Sequence, residues 1–169
     1  MKRILLTSIV LLTLFSSQSC GVYSFTGASI ASNIETFQVN FFRNNAPLVE
    51  PGLDRDFTQA LQEIILNQTS LDLTNRNGDL IYEGEIIEYY IAPITATAQN
   101  TAAQNRLTIS VNVRFFDTKN PENDLEQRFS FYYDYEGAAQ LTGTQKDLAV
   151  SAIFERLTQD IFNATLAKW

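Results

Sequence analysis

Leu107-Thr108-Ile109-Ser110-Val111-Asn112-Val113-Arg114-Phe115 alternates without a fault between apolar and polar side chains. Successive strand residues point to opposite faces of a sheet, so a period of two marks a half-buried strand. Leu107, Ile109, Val111, Val113 and Phe115 face a core; Thr108, Ser110, Asn112 and Arg114 face away. Asp117 to Asp124, with Asn120-Pro121 inside it, supplies a turn. Leu125 to Tyr135 then resumes the alternation, setting Phe129, Phe131, Tyr133 and Tyr135 against Arg128, Ser130, Tyr132 and Asp134. Two such runs joined by a turn predict an antiparallel pair.

Upstream, Leu80 to about Ala92 is again strand-like, with Gly84 marking a bulge or a close backbone approach and Pro93 ending the strand. Thr95 to Asn105 is small and polar and predicts a loop. Leu71-Asp72-Leu73-Thr74 is a brief strand candidate, stopped by the turn formers Asn75 to Gly78. Thr36 to Phe42 alternates Phe37, Val39 and Phe41 with Gln38 and Asn40 and predicts the first strand; Arg43 to Pro47 breaks it. Pro51-Gly52 leads into Asp54 as N-cap of a helix from about Arg55 to Gln68, with Leu53, Phe57, Leu61, Ile64 and Ile65 on one side. A second helix opens at Thr144, with Asp147 three residues on. Its apolar face is Leu148, Val150, Ile153, Phe154, Leu157, Ile161 and Phe162.

Each helix has one apolar stripe and the sheet one apolar face, so they satisfy each other when both helices cover the same side. The predicted fold is α+β: a two-layer sandwich, two helices packed on one face of a mainly antiparallel sheet, in the order β-α-β-β-β-α. The opposite sheet face carries Thr108, Ser110, Asn112, Arg114, Arg128, Ser130 and Tyr132 and is expected to be wet or to touch a partner.

The N-terminal stretch has a different character. Met1-Lys2-Arg3, apolar Ile4 to Phe15 and Ser16-Ser17-Gln18-Ser19 precede Cys20, the one cysteine in the chain. A basic start, about a dozen apolar residues and small residues before a cut form a secretory signal, too short for a membrane span. A lone cysteine makes no internal disulfide. Placed at this position, it is expected to carry thioether-linked diacylglycerol and an N-acyl chain, more than one chain being needed to hold a protein stably at a membrane. The expected organisation is residues 1–19 a lipoprotein signal peptide, 20–35 a lipidated tether and 36–169 a single domain.

The formal charge is -7, and losing Lys2 and Arg3 with the leader takes it to -9, with acids and bases interspersed. That balance argues against nucleic acid, whose phosphates need a basic face, and against polybasic docking on anionic lipid. Histidine is absent, which removes serine triads and cysteine dyads. No Gly-rich phosphate loop or metal-ligand spacing appears, so neither a metal nor a further cofactor is expected. Glu83, Glu85 and Glu88 are carboxylates close in sequence, and Glu83 with Glu88 is the pair a hydrolase would use. Their alternation with Tyr82 and Gly84 instead fits an exposed strand face, and no catalytic residue is assigned. Tyr89, Tyr90 and Tyr132 are candidates for an interface belt.

Cys20-Gly21-Val22-Tyr23-Ser24-Phe25-Thr26-Gly27, Asn45-Ala46-Pro47-Leu48-Val49, Gln68-Thr69-Ser70-Leu71 and Gly78-Asp79-Leu80 form an ordered series. It continues through Asn105-Arg106-Leu107-Thr108-Ile109, Phe129-Ser130-Phe131-Tyr132, Ile161-Phe162-Asn163 and Trp169. This series resembles the LptE-type lipopolysaccharide-assembly lipoproteins over essentially the whole mature chain. The resemblance implies an outer-membrane lipoprotein on the periplasmic side, a non-enzymatic plug in the lumen of a large β-barrel that assembles lipopolysaccharide at the cell surface. By local chemistry Arg106, Arg114 and Arg128, beside Tyr132, are the candidates for contact with lipopolysaccharide phosphate or a barrel carboxylate. The alternative reading is a lipid-anchored periplasmic binding module that holds an apolar or glycan ligand between Tyr89, Tyr90 and the loop Thr95 to Asn105. The anchor yields the first prediction: Cys20→Ala shifts the protein from the membrane pellet to the soluble fraction on cell fractionation, and an unchanged pellet would remove the lipid from the account.

Overall fold

The computed structural model describes residues 30–94, 104–136 and 140–167. Cys20, the start of the tether, Trp169 and all but the last two residues of the stretch 95–105 lie outside the described residues. The chain runs β1 (Thr36–Val39), β2 (Arg43–Asn44), α1 (Leu53–Gln68), β3 (Asp72–Leu73), β4 (Leu80–Ile94), β5 (Gln104–Asp117), a 3-10 turn (Pro121–Asn123), β6 (Leu125–Glu136) and α2 (Gly143–Thr165). The sheet has the order β3-β1-β4-β5-β6, with β2 beside β4. β4, β5 and β6 form the antiparallel meander; β1 pairs in parallel with β3 and β4, and β2 in parallel with β4. Both helices cover one face, so the two-layer α+β sandwich stands. β2 is an addition to the expected order, while β3 falls within the brief strand candidate Leu71 to Thr74; each is two residues long, too short to show a period.

Phe42 and Phe57 meet edge to face at 5.1 Å, as do Phe57 and Phe154 at 5.2 Å, which ties β2's approach to both helices. Such aromatic pairs contribute about 0.5–1.5 kcal/mol beyond the area they bury. Tyr82 is fully buried under α2. Thr165 Oγ1 donates to Ile161 O at 2.8 Å, so Tyr82 Oη donates to Thr165 Oγ1, 2.9 Å away. Burial holds that phenol well above its ordinary range.

Several local expectations change. Phe41 is 56% exposed and Phe42 fully buried, because β1 ends at Val39 and the chain shifts by one residue before β2. α1 starts at Leu53 with Gly52 as N-cap, its φ of 85° needing glycine, and Asp54 falls in the first turn. α2 starts at Gly143, one residue before Thr144; Leu148 is 61% exposed and Ala149 takes its place against the core. β4 runs through Pro93 to Ile94, since beyond Ile86 its other side has no strand partner among the described residues and an edge tolerates a missing N–H. Gly84 marks a close approach: a Cβ there would run into Asn112 O and come within 2.7 Å of the Phe42 ring. The irregularity itself lies between Ile86 and Glu88.

At the opposite end, Asp79 accepts from the Glu35 and Thr36 backbone N–H groups and from Thr36 Oγ1, each at 3.0 Å, and pairs with Lys119 Nζ at 2.9 Å. It joins the start of β1, the start of β4 and the β5–β6 turn. Ile30 and Ile34, at the end of the stretch read as tether, pack against the core nearby. The backbone N–H of Glu35, then Lys119, hold the Asp79 carboxyl well below its ordinary value of 3.8. A depressed folded-state pKa contributes stability above the unfolded value that is lost as pH falls through the folded one. Asp79→Asn is therefore expected to cost roughly 2 kcal/mol at pH 7, and the gap from the parent should narrow below pH 4 in urea titrations at several pH values; a gap independent of pH would refute the assignment.

Candidate functional site

The sheet face away from the helices is built by the pleat of β4, β5 and β6. Across it, register sets Arg114 beside Glu83 and Glu126, Asn112 beside Glu85 and Arg128, Ser110 beside Glu88 and Ser130, and Thr108 beside Tyr90 and Tyr132. Arg106 stands beside Asp134 in the last row. All four predicted contact residues, Arg106, Arg114, Arg128 and Tyr132, thus share one face.

Each arginine is engaged with an acid. Arg114 Nε donates to Glu83 Oε1 at 3.3 Å, and its Nη1 lies 3.6 Å from Glu85 Oε1. Arg128 Nη2 donates to Glu88 Oε2 at 2.7 Å and to Ser110 Oγ at 3.0 Å. Ser110 Oγ donates to Glu88 Oε2, 2.7 Å away, and lies 2.8 Å from Ser130 Oγ. Arg106 forms a two-point fork with Asp134, at 2.7 and 2.9 Å, while its guanidinium carbon sits 3.6 Å from the centre of the Tyr132 ring. That fork raises the Arg106 pKa and lowers that of Asp134. The face is a ladder of cross-strand ion pairs in which each arginine is matched by an acid, with Tyr90 57% and Tyr132 46% exposed at one end.

Two expectations change here. Tyr89 does not join a tyrosine belt; it is buried in the core, and burial, with Glu50 adding, pushes its phenol up to about 12. The bulge at Ile87 is the cause, because one extra residue reverses which face the following side chains take. Ile86 faces the core, and after the bulge Tyr89 and Ile91 do so, leaving Glu88 and Tyr90 on the polar face. Ser110, expected to be wet, is fully buried beneath Glu88 and Arg128. Glu83 and Glu88 sit in separate ion pairs with Arg114 and Arg128. Glu85, Glu88 and Asp134 as arginine partners were missed as a set; the apolar pair Ile86-Ile87, where alternation calls for one polar residue, was the signal.

Beside the unpaired edge of β4, a notch of about 340 Å³ is lined by Pro47, Leu48, Ile87, Tyr90 and Arg128 among others. Among the described residues no group of three or more metal-ligating side chains converges, and no helix is long and apolar enough to cross a membrane.

The sequence profile of the LptE family, described as lipopolysaccharide-assembly, matches residues 34–165, from the approach to β1 to the end of α2. The chain belongs to the LptE family. A search of curated proteins finds no matching sequence. Among solved structures, a hypothetical protein from Chlamydia trachomatis aligns with this LptE-family chain at a TM-score of 0.50 and 10% identity, covering 80% of this chain and 99% of that one. Uncharacterized lipoprotein B from Nitrosomonas europaea aligns at 0.47 and 14% identity, covering 76% and 79%. Rare lipoprotein B from Shewanella oneidensis aligns at 0.42 and 12%, covering 75% and 89%. At such identity the Chlamydia likeness speaks to the fold alone.

Exposed ion pairs contribute about 0–1 kcal/mol each. Arg114→Ala and Arg128→Ala are each expected to change unfolding free energy by less than about 1 kcal/mol, and Arg106→Ala to shift the unfolding midpoint only slightly, measured by denaturant titration. A loss well beyond that for Arg106 or Arg114 would mean that the ladder serves folding before recognition.

Proposed function

We propose that this chain is a non-enzymatic outer-membrane lipoprotein, anchored by acyl chains on Cys20 at the periplasmic side, that fits into a large β-barrel and assists it in assembling lipopolysaccharide at the surface. The observation that carries the reading is the family match over the whole folded body. The polar sheet face supports it physically. A barrel lumen is lined by polar side chains, and a ladder of ion pairs flanked by exposed tyrosines meets such a wall without stranding a charge, since each arginine keeps or exchanges a carboxylate partner. In this reading Arg106, Arg114, Arg128 and Tyr132 are the contact residues. A guanidinium freed from its carboxylate can hold a lipopolysaccharide phosphate by the same two-point geometry.

A second reading, the anchored binding module for an apolar or glycan ligand, draws on the notch beside Tyr90. The test separates them. A photoreactive phenylalanine analogue at Tyr132 or at Gln59 on α1, activated in intact outer membranes, is expected to crosslink a large β-barrel from Tyr132 alone, and depletion of the chain should reduce surface lipopolysaccharide. Unchanged surface lipopolysaccharide with no barrel adduct would overturn the reading, and co-purification of a lipid or glycan in place of the barrel would favour the module.

A further inference from the structure

On the side of the molecule away from the ion-pair ladder, α1 and α2 run side by side and leave an open groove of about 710 Å³ between them. The groove is held at both ends by cross-links between the elements that form it. Lys146 Nζ pairs with Glu50 Oε1 at 2.7 Å at one end, and Gln68 Nε2 donates to Gln159 Oε1 at 3.0 Å at the other. From Lys146 to Gln159 the α2 wall is about 20 Å long at the helical rise per residue. A slot of that length matches about four turns of helix.

The floor is apolar, formed by Ala60 and Ile64 of α1 and Val150 and Phe154 of α2. The rims are acidic: Asp56 and Glu63 on one side, Asp147 and Glu155 on the other. Along each helix the two acids are two turns apart, about 10–12 Å. The one lysine in the groove, Lys146, is already matched by Glu50. Asp56 has Arg55 beside it, while Glu63, Asp147 and Glu155 hold no salt bridge among the described residues.

We infer that the groove between α1 and α2 is a docking site for a basic amphipathic helix of a partner protein, whose apolar stripe covers Ala60, Ile64, Val150 and Phe154 and whose lysines or arginines reach the acidic rims. Charge decides between occupants. A second copy would bring the same acidic rims face to face, and an anionic lipid surface would be repelled, whereas a basic helix meets opposite charge on both sides. Geometry decides the form of the partner. Neither groove wall offers a free strand edge, so an extended peptide gains no backbone pairing, while an apolar stripe at helical spacing seats between two parallel helices. The groove lies across the sheet from Tyr132 and the arginine ladder, so it remains open when that ladder is covered.

The test uses the full chain carrying Cys20→Ser, so that no acyl anchor contributes, and a fluorescein-labelled 16-residue Leu/Lys peptide with leucines at i, i+3, i+4 and i+7. Fluorescence anisotropy is expected to show saturable binding, weakened at least tenfold by the double change Glu63→Lys, Glu155→Lys. A peptide of the same composition with the stripe scrambled should bind at least tenfold more weakly, and one with every lysine replaced by glutamate should not bind. Amide shift changes on binding should centre on α1 and α2. Circular dichroism checks that the double variant is folded, and Val150→Lys provides a second variant that blocks the floor without touching the acids. Equal affinity for the striped and scrambled peptides, no loss in either folded variant, or shifts centred on the sheet would overturn the proposal, as would a dimer in sedimentation that buries this face. The barrel crosslink from Tyr132 should persist in the Glu63→Lys, Glu155→Lys variant, so failure here is distinguishable from failure of the barrel reading.

Discussion

The pairing of β4 with β5 is the constraint on which the rest of the molecule depends. It runs from Leu80 opposite Asp117 to Ile94 opposite Gln104, with a single slip between Ile86 and Glu88. Before the slip, β4 lends its other edge to β1 and β2, and Gly84 lets the strand close on Asn112 while Phe42 crosses over it. After the slip, β4 has no second strand partner among the described residues and its side chains have exchanged faces. A uniform strand would have sent Tyr89 to solvent and Glu88 toward the core. With one extra residue, Tyr89 is buried and Glu88 comes opposite Ser110, within reach of Arg128.

This dependence explains which parts of the fold were legible in the sequence. β5 and β6 were legible because each keeps one period over its whole length, and α1 because its apolar residues recur at helical spacing. The misreadings fall where a period is interrupted. Phe41-Phe42 and Ile86-Ile87 are apolar pairs, and within such a pair alternation does not say which member faces inward; Phe42 does, and Ile87 is the bulge. Leu148 is exposed and Ala149 buried, so the inward face of α2 begins one residue later than the apolar residues alone suggest. Pro93 breaks a central strand but not an edge, and its position at an edge follows only from the topology. The candidate site was half legible: Arg106, Arg114, Arg128 and Tyr132 fell on one face by parity alone, but their acidic partners required the register.

The two faces of the sandwich solve different electrostatic problems with the same residue types. On the sheet, each arginine is paired with an acid across strands, so that part of the acidic charge there is matched. In the groove between the helices, Glu63, Asp147 and Glu155 hold no salt bridge among the described residues. Covering a ladder of paired charges makes any contact depend on exchanging short hydrogen bonds, which favours a partner of fixed shape. Covering an acidic groove draws on longer-range attraction and an apolar floor, which favours a partner selected by charge and helical amphipathicity.

That division also bears on the proposed contact between the sheet face and a barrel. A guanidinium held by a carboxylate can be transferred to another carboxylate or to a phosphate with no net change in paired charge, so under the proposed contact on the sheet face exchange would leave no buried ion alone. Arg106 shows the limit of this freedom: its two-point fork with Asp134 and its stacking on Tyr132 make it the most firmly engaged of the three arginines. Arg128 is the more exposed, its side chain 55% accessible against 38% for Arg106, and it shares one nitrogen between Glu88 and Ser110. In the proposed contact, exchange should therefore begin at Arg128, beside the notch, with Arg106 holding the Tyr132 ring in place.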